Sequence, residues 1–183
     1  MTSSPLAIVV MGVSGSGKST FGRQLAERLS APFLEGDEFH PPSNVQKMRD
    51  GIALRDEDRW PWLDRIADAF AAVAANSPLT VGACSALKRI YRDRLRERIS
   101  RPVAFICLEA SEQVLSARMN SRAGHFMPPA LLSSQLATLE PPGPDEFALS
   151  LDSTRSTDEL LAQSVAWLRD NGGRALPAAN EPV

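Results

Sequence analysis

A glycine-rich stretch near the start of the chain carries the clearest chemistry. Residues 12–19 read GVSGSGKS and match the pattern G-x-x-x-x-G-K-[ST] at every fixed position. An apolar run, Leu6–Met11, precedes the stretch, and a helical pattern with Phe21, Leu25 and Leu29 follows it. This order of strand, glycine-rich turn and helix is the context in which the pattern binds nucleotide phosphates. A plain turn between a strand and a helix is the alternative.

The residue types in this stretch suit an anionic ligand. Glycines let backbone N–H groups turn inward around phosphate oxygens, and the start of the following helix adds the positive end of its dipole. We expect the ammonium of Lys18 to reach the β- and γ-phosphates and the hydroxyl of Ser19 to coordinate Mg²⁺. The candidate nucleotide-binding residues are Gly12, Val13, Ser14, Gly15, Ser16, Gly17, Lys18, Ser19 and Thr20.

Two other classes of nucleotide-binding protein fit less well. The N-K-x-D motif with which a GTPase binds guanine does not occur in the sequence. The chain, at 183 residues, is also short for a mechanical or oligomeric ATPase. A small-molecule kinase is therefore the class that the sequence favours.

Three polar residues between positions 37 and 59 are candidates for binding the phosphoryl acceptor. Asp37 follows the apolar run Phe33–Gly36, where a carboxylate can bind a hydroxyl group and accept its proton; a turn or N-cap aspartate is the alternative. His40 precedes two prolines in a rigid loop, and could contact the substrate or pack. Arg59, at the start of a helix containing Trp-Pro-Trp, is the best candidate for an anion clamp.

A basic segment follows the third apolar run. Residues 88–101 contain seven basic and two acidic residues. Lys88 and Arg92 are four residues apart, which places them on one face of a helix just beyond the end of a strand. We expect these two residues to bind an anionic acceptor, whereas the segment's remaining arginines are typical of a solvent-facing helix.

A second arginine pair, Arg118 and Arg122, has the same spacing after the fourth apolar run. A mobile segment bearing arginines can close over the transferring phosphate, neutralise its charge and exclude water. His125 follows in the same segment and is a further candidate substrate-binding residue. A surface helix with two arginines is the alternative.

The elements that must position these residues follow an alternating pattern. Short apolar runs separated by helical patterns predict a doubly wound α/β sandwich with a five-stranded parallel sheet. Ligands of such sheets bind beyond the carboxyl ends of the strands. The predicted strands are Leu6–Met11, Phe33–Gly36, Leu79–Ala83, Val103–Leu108 and Ala148–Asp152.

Composition supports one globular domain. With 43% hydrophobic and 23% charged residues, the chain predicts a single domain over residues 1–171 and a flexible tail over 172–183. The net charge of −2 argues against a nucleic-acid partner, and Leu6–Met11 is too short to cross a membrane. Cys84 and Cys107 lie in apolar runs, and buried thiols suit a reducing cytoplasm.

Lysine is rare in this chain. Seventeen of the twenty basic residues are arginine, and the three lysines are Lys18, Lys47 and Lys88. Lys18 and Lys88 have anionic partners in the interpretation above. Lys47 has no physical explanation from the sequence.

Several stretches together resemble the bacterial gluconokinases, small ATP-dependent kinases related to the shikimate and adenylate kinases. The resemblance runs from about residue 6 to about residue 170. It is carried by MGVSGSGKS, EGDEFHPPSNVQKM, DEDRWPWL, CSALKRIYRDRLR, RAGHFM and SQLATLEPP.

The resemblance implies both an activity and a fold. The implied fold is a three-layer P-loop kinase sandwich with a helical lid at about residues 118–130. The implied reaction is ATP-dependent phosphorylation of D-gluconate at its 6-hydroxyl, with Mg²⁺, by a homodimer. The resemblance assigns the sugar acid to Asp37, Arg59, Lys88 and Arg92.

Two other functions stay open at this point. One is a kinase for a different sugar acid, shikimate or a nucleotide. The other is a regulatory protein that binds the nucleotide without turnover. A panel of acceptors in an ADP-release assay separates all three.

Overall fold

Five parallel strands form one sheet at the centre of the fold. The computed structural model describes residues 5–121 and 131–171. The strands run in the order β2-β3-β1-β4-β5, and every neighbouring pair is parallel. Their bounds are β1 (Leu6–Met11), β2 (Phe33–Glu35), β3 (Leu79–Ala83), β4 (Val103–Glu109) and β5 (Ala148–Asp152).

Helices cover both faces of this sheet. Seven α-helices lie within the described part of the chain. A short 3₁₀ turn, Gly36–Phe39, follows β2. The helices are α1 (Lys18–Arg28), α2 (Pro42–Arg49), α3 (Asp56–Ala74), α4 (Arg89–Arg98), α5 (Glu112–Asn120), α6 (Leu131–Thr138) and α7 (Thr157–Asn171).

The sheet is the middle layer of three. Leu25 of α1 and Leu168 of α7 belong to the apolar cluster on one face. Trp62 and Phe70 of α3 and Leu95 of α4 belong to the cluster on the other face. All six residues of the central strand β1 are buried, which is why its sequence is a continuous apolar run rather than an alternating one.

The predicted strands are confirmed to within one residue. β2 ends at Glu35 rather than Gly36, because Gly36 opens the 3₁₀ turn, and β4 extends to Glu109. A Cβ at Gly36 would collide with the carbonyl oxygen of Ala83, so glycine permits the close approach of this turn to β3. Helix α5 begins with a side-chain cap, since the hydroxyl of Ser111 accepts from the backbone N–H of Val114.

Two predicted segments lie partly or wholly outside the described residues. Of the predicted lid at about 118–130, residues 122–130 fall outside, and so does the predicted tail at 172–183. Within the described ranges, none of the helices is long and apolar enough to span a membrane.

Candidate active site

The glycine-rich loop joins the end of β1 to the start of α1. Gly15 and Gly17 have φ angles of +81° and +96°, a left-handed conformation that side-chain-bearing residues rarely adopt. Residues 12–16 of the loop are buried, and the hydroxyl of Ser16 has no hydrogen-bond partner among the described residues. An inward-turned loop with an unsatisfied buried donor suits the oxygens of a phosphate group.

Lys18 and Ser19 occupy the first turn of α1, at the positive end of its dipole. The ammonium of Lys18 donates to the carbonyl oxygen of Val13 at 3.2 Å, so the side chain folds back over the loop. No carboxylate within residues 5–121 and 131–171 pairs with it. Lys18 is therefore a cation available to a ligand.

One cavity adjoins this loop on the side of β3 and α6. It brings together four of the residues predicted from sequence, which are Lys18, Asp37, His40 and Arg59. Its other lining residues are Ser14, Met48, Ala53, Leu54, Ser85, Leu131, Ser134, Gln135 and Thr138. We call this space the acceptor cavity.

Asp37 enters the acceptor cavity from the 3₁₀ turn that follows β2. The indole N–H of Trp62 donates to the carbonyl oxygen of Gly36 at 2.8 Å, which ties this turn to α3. The backbone N–H of His40 donates to the carbonyl oxygen of Asp37 at 3.4 Å and closes the turn. Asp37 is thus fixed on the wall of the same cavity that Lys18 lines.

Arg59 is the buried cation of the acceptor cavity. It is 8% exposed, and its Nε has no hydrogen-bond partner among the described residues. Its guanidinium lies 5.5 Å from the centre of the Tyr91 ring. A buried guanidinium with an unused donor is costly unless an anion binds it, so this geometry favours an anionic ligand.

His40 packs beside Arg59 on the wall of the same cavity. Its ring stacks on Trp62, with 4.2 Å between centroids and 10° between planes. Burial lowers the pKa of His40 to about 4, against the opposing effect of Asp37, and the charge of Arg59 lowers it further. His40 is therefore a neutral imidazole at physiological pH.

Lys88 lies outside the acceptor cavity and has an acidic partner. Its ammonium donates to both carboxylate oxygens of Asp56, at 2.8 and 3.0 Å. The phenol of Tyr91 donates to the same carboxylate. The hydrogen bond from Lys88, followed by the one from Tyr91, holds the pKa of Asp56 below its usual value. Lys88 lines an adjoining groove that shares Leu54 and Thr138 with the acceptor cavity.

Arg92 is not placed to bind a ligand, and this corrects the interpretation from sequence. Its side chain is 1% exposed, and Nε and Nη2 both donate to Glu146 at 2.7 Å. Its Nη1 donates to backbone carbonyl oxygens, including that of Glu140 at 3.0 Å. Lys88 is the N-cap residue just before α4 and has an extended backbone, whereas α4 turns Arg92 into the protein interior. The cation is already neutralised by Glu146.

Arg118 lies beside the glycine-rich loop and outside the acceptor cavity. Its guanidinium donates to the hydroxyl and the carbonyl oxygen of Ser153, at 2.9 and 2.6 Å. It lines a second cavity together with Gly17, Thr20 and Arg155. Two residues predicted with it, Arg122 and His125, lie outside the described residues.

Helix α6 contributes a residue that sequence reasoning missed. The amide oxygen of Gln135 accepts from the backbone N–H of Ser14 at 2.7 Å, and Gln135 also lines the acceptor cavity. It is 8% exposed. One signal was present in the sequence. Gln135 lies three residues after Leu132 and directly before Leu136, so helical spacing places this polar residue beside the apolar face of the helix.

Neither cavity is built like a metal cage. No group of three or more histidine, cysteine or acidic residues that could hold a metal ion occurs in the described part of the chain. Mg²⁺ in nucleotide sites is held by a few protein oxygens together with the phosphates and water. The hydroxyl of Ser19 beside the phosphate loop fits that mode of binding.

Comparison with known proteins gives a consistent result. A family model described as an AAA domain matches residues 8–142. The thermosensitive gluconokinase of Escherichia coli (strain K12) is 48% identical over 170 residues, covering 90% of both chains. The gluconokinase of Gluconobacter oxydans (strain 621H) is 45% identical over 161 residues, covering 88% of this chain and 90% of that one.

A solved structure extends the similarity to the fold. The crystal structure of a gluconokinase from Sinorhizobium meliloti 1021 has a TM-score of 0.80 and 47% sequence identity. The match covers 92% of this chain and 94% of that one. The similarity thus extends over most of both chains.

Proposed function

This chain belongs to the gluconokinase family, and we propose that it transfers the γ-phosphoryl group of ATP to the 6-hydroxyl of D-gluconate. The products are 6-phosphogluconate and ADP. One observation carries the proposal. The acceptor cavity combines a phosphate-loop lysine, a carboxylate and a buried arginine with an unused donor, Lys18, Asp37 and Arg59.

Each of these three groups matches one part of the substrate pair. Arg59 binds the carboxylate of the sugar acid, because a guanidinium forms strong charge-assisted hydrogen bonds with carboxylates. Asp37 accepts a hydrogen bond from the 6-hydroxyl, aims it at the γ-phosphorus and takes its proton. Lys18 neutralises charge on the β- and γ-phosphates as the bond to the leaving oxygen breaks.

The nucleotide occupies the glycine-rich loop and the second cavity beside it. Its phosphates lie in the loop formed by residues 12–20, and its nucleoside end extends into the cavity lined by Arg118, Ser153 and Arg155. The hydroxyl of Ser19 would hold Mg²⁺ beside these phosphates, and the ion would neutralise further phosphate charge. Arg122 and His125 remain proposed lid residues on the basis of the sequence.

Positioning dominates this mechanism. Phosphoryl transfer passes through a loose transition state, in which the protein gains most by holding the two oxygens in line and balancing charge. Lys88 acts indirectly in this scheme. Its pairing with Asp56 holds the start of α3, and Arg59 lies three residues further along that helix.

An acceptor panel tests the proposed function. Coupled ADP release is measured with D-gluconate, other sugar acids, shikimate and nucleoside monophosphates. D-gluconate should give the highest kcat/KM. A higher value for another acceptor would reassign the substrate, and nucleotide binding without acceptor-stimulated turnover would favour a regulatory protein.

Assembly and location complete the proposal. The family resemblance supports a homodimer, which sedimentation analysis of the purified chain would test. The cytoplasm is the proposed compartment, supported by Cys84 and Cys107, which are buried free thiols. The reaction needs neither a membrane nor a nucleic-acid partner.

A further inference from the structure

We propose that Asn44 is a positioning residue that holds His40 in the Nε2–H tautomer, so that His40 donates a hydrogen bond to an oxygen of the acceptor. This inference deepens the proposed function and rests on it. It also gives His40 a definite role, because a protonated Nε2 is a donor and not a base.

The orientation of the Asn44 amide follows from its partner. Asn44 lies on α2 and is 2% exposed. Its side-chain nitrogen lies 2.7 Å from the backbone carbonyl oxygen of Asp58. A carbonyl oxygen only accepts hydrogen bonds, so the Asn44 atom facing it must be the NH₂ group.

That same NH₂ group determines the tautomer of His40. It lies 3.3 Å from Nδ1 of His40. Since an amide NH₂ only donates, Nδ1 must accept, and in a neutral imidazole the proton then resides on Nε2. Because Nδ1 faces Asn44 and one ring face stacks on Trp62, Nε2 is the ring nitrogen available to the acceptor cavity that His40 lines.

A salt bridge stabilises this arrangement and gives Lys47 a structural role. The ammonium of Lys47 on α2 donates to Oδ1 of Asp58 at 2.6 Å, while Oδ2 of Asp58 accepts from the backbone N–H of Arg55 at 3.0 Å. Asp58 therefore links α2 to the start of α3, and its carbonyl oxygen anchors Asn44. The third lysine of the chain thus stabilises the wall of the acceptor cavity on which His40 lies.

The surrounding charges agree with a neutral imidazole. Asp37 favours the charged form of His40, whereas burial and Arg59 oppose it, and burial is the largest effect. A neutral donor suits this position because a second cation beside Arg59 would be repelled. Asp37 is then the one proton acceptor among the four sequence-predicted residues of this cavity.

The tautomer can be read directly by ¹⁵N NMR of the imidazole nitrogens. The chain has only two histidines, and a His40→Gln variant assigns their signals. We expect wild-type His40 to show a protonated Nε2 and an unprotonated Nδ1 at neutral pH. A protonated Nδ1 would overturn the proposal, whatever the enzyme's acceptor proves to be.

Two pairs of variants link the tautomer to the acceptor. Asn44→Asp replaces the donor that faces Nδ1 by a carboxylate, and should move the proton to Nδ1 and raise the KM for gluconate about 2- to 10-fold with a smaller change in kcat. Gln46→Glu makes the same chemical change at an exposed position of α2 and should alter neither quantity. A merely structural Asn44 would leave the His40 signals of a folded Asn44→Asp protein unchanged, which would overturn the proposal.

The second pair distinguishes the two ring nitrogens by their amide mimics. The amide nitrogen of glutamine can replace Nε2, and that of asparagine can replace Nδ1. His40→Gln should therefore keep a lower KM for gluconate than His40→Asn. The reverse order would overturn the donor role of Nε2. Failure of the wild-type protein to phosphorylate gluconate would instead contradict the proposed function and leave the tautomer result standing.

Discussion

The carboxylate of Glu146 accepts hydrogen bonds from both Nε and Nη2 of Arg92, each at 2.7 Å, with both side chains 1% exposed. Arg96 and the backbone N–H of Gly143 donate to the same carboxylate. The pair therefore fastens the segment before β5 to α4. A buried cation with this partner has a structural role.

Removing the carboxylate of this pair should destabilise the fold severely. Glu146→Leu leaves the Arg92 charge buried without its acidic partner, which typically costs about 3–5 kcal/mol in the free energy of unfolding. Urea denaturation measures this loss. The double variant Arg92→Met/Glu146→Leu should lose less than the sum of the two single variants. If the Arg92→Met protein had wild-type stability but did not bind gluconate, Arg92 would be a substrate-binding residue after all.

Lys18 should matter more to the rate than Asp37. Loss of one cation that stabilises the transition state lowers the rate at least about 10²-fold. The single-turnover rate of Lys18→Ala should therefore be lower than that of the wild type by this factor. Asp37→Asn should fall less, because it can still orient the hydroxyl by a hydrogen bond and the transition state is loose. Arg65→Ala, on an exposed position of α3, serves as the control. Equal single-turnover rates for wild type and Lys18→Ala would contradict the assignment.

The sequence predicted the local features of this site and not its long-range pairings. The strands and the glycine-rich loop are encoded within short windows, as apolar runs and as a fixed pattern, and β1 and residues 12–19 match the prediction. The partner of Arg92 is 54 residues away, and the link from Gln135 to Ser14 joins residues 121 apart. Helical spacing predicted Lys88 and Arg92 on one face, but Lys88 is the N-cap residue before α4. The spacing also does not reveal that Lys88 pairs with Asp56 and Arg92 with Glu146.

Binding of the acceptor's carboxylate should depend strongly on Arg59 and much less on Lys88. Arg59→Met removes charge-assisted hydrogen bonds, and should raise the KM for gluconate about 10- to 100-fold with little change in the KM for ATP. Lys88→Met is the matched control, because Lys88 already pairs with Asp56.

Stability provides a second measurement on the same two variants. Without a ligand, the Arg59 guanidinium is buried with an unused donor, so Arg59→Met should be at least as stable as the wild type. Lys88→Met should be less stable, since it leaves Asp56 with one donor fewer. A KM that rises more in Lys88→Met than in Arg59→Met would reverse the assignment.

Gln135 should couple the two substrates, since its oxygen binds the phosphate loop while its side chain lines the acceptor cavity. Gln135→Leu removes the acceptor that lies 2.7 Å from the Ser14 N–H, which should cost about 1–3 kcal/mol of stability and raise the KM for both ATP and gluconate. Thermal unfolding and steady-state kinetics measure the two effects. Gln163→Leu makes the same change at an exposed position of α7. A rise in the KM for only one of the two substrates would contradict the coupling.

The stability of the protein at acid pH should depend on the titration of His40. Its pKa is lowered from 6.5 to about 4 in the folded chain, so between these values the unfolded chain binds more protons and stability falls as the pH falls. The full effect amounts to about 3 kcal/mol between pH 7 and pH 4. His40→Gln removes this titration, so the difference in unfolding free energy between wild type and His40→Gln should shrink by that amount over the same range. The difference in unfolding free energy should stay constant from pH 7 to pH 9, where His40 titrates in neither the folded nor the unfolded chain. If the difference also stayed constant down to pH 4, the folded protein would not hold His40 neutral.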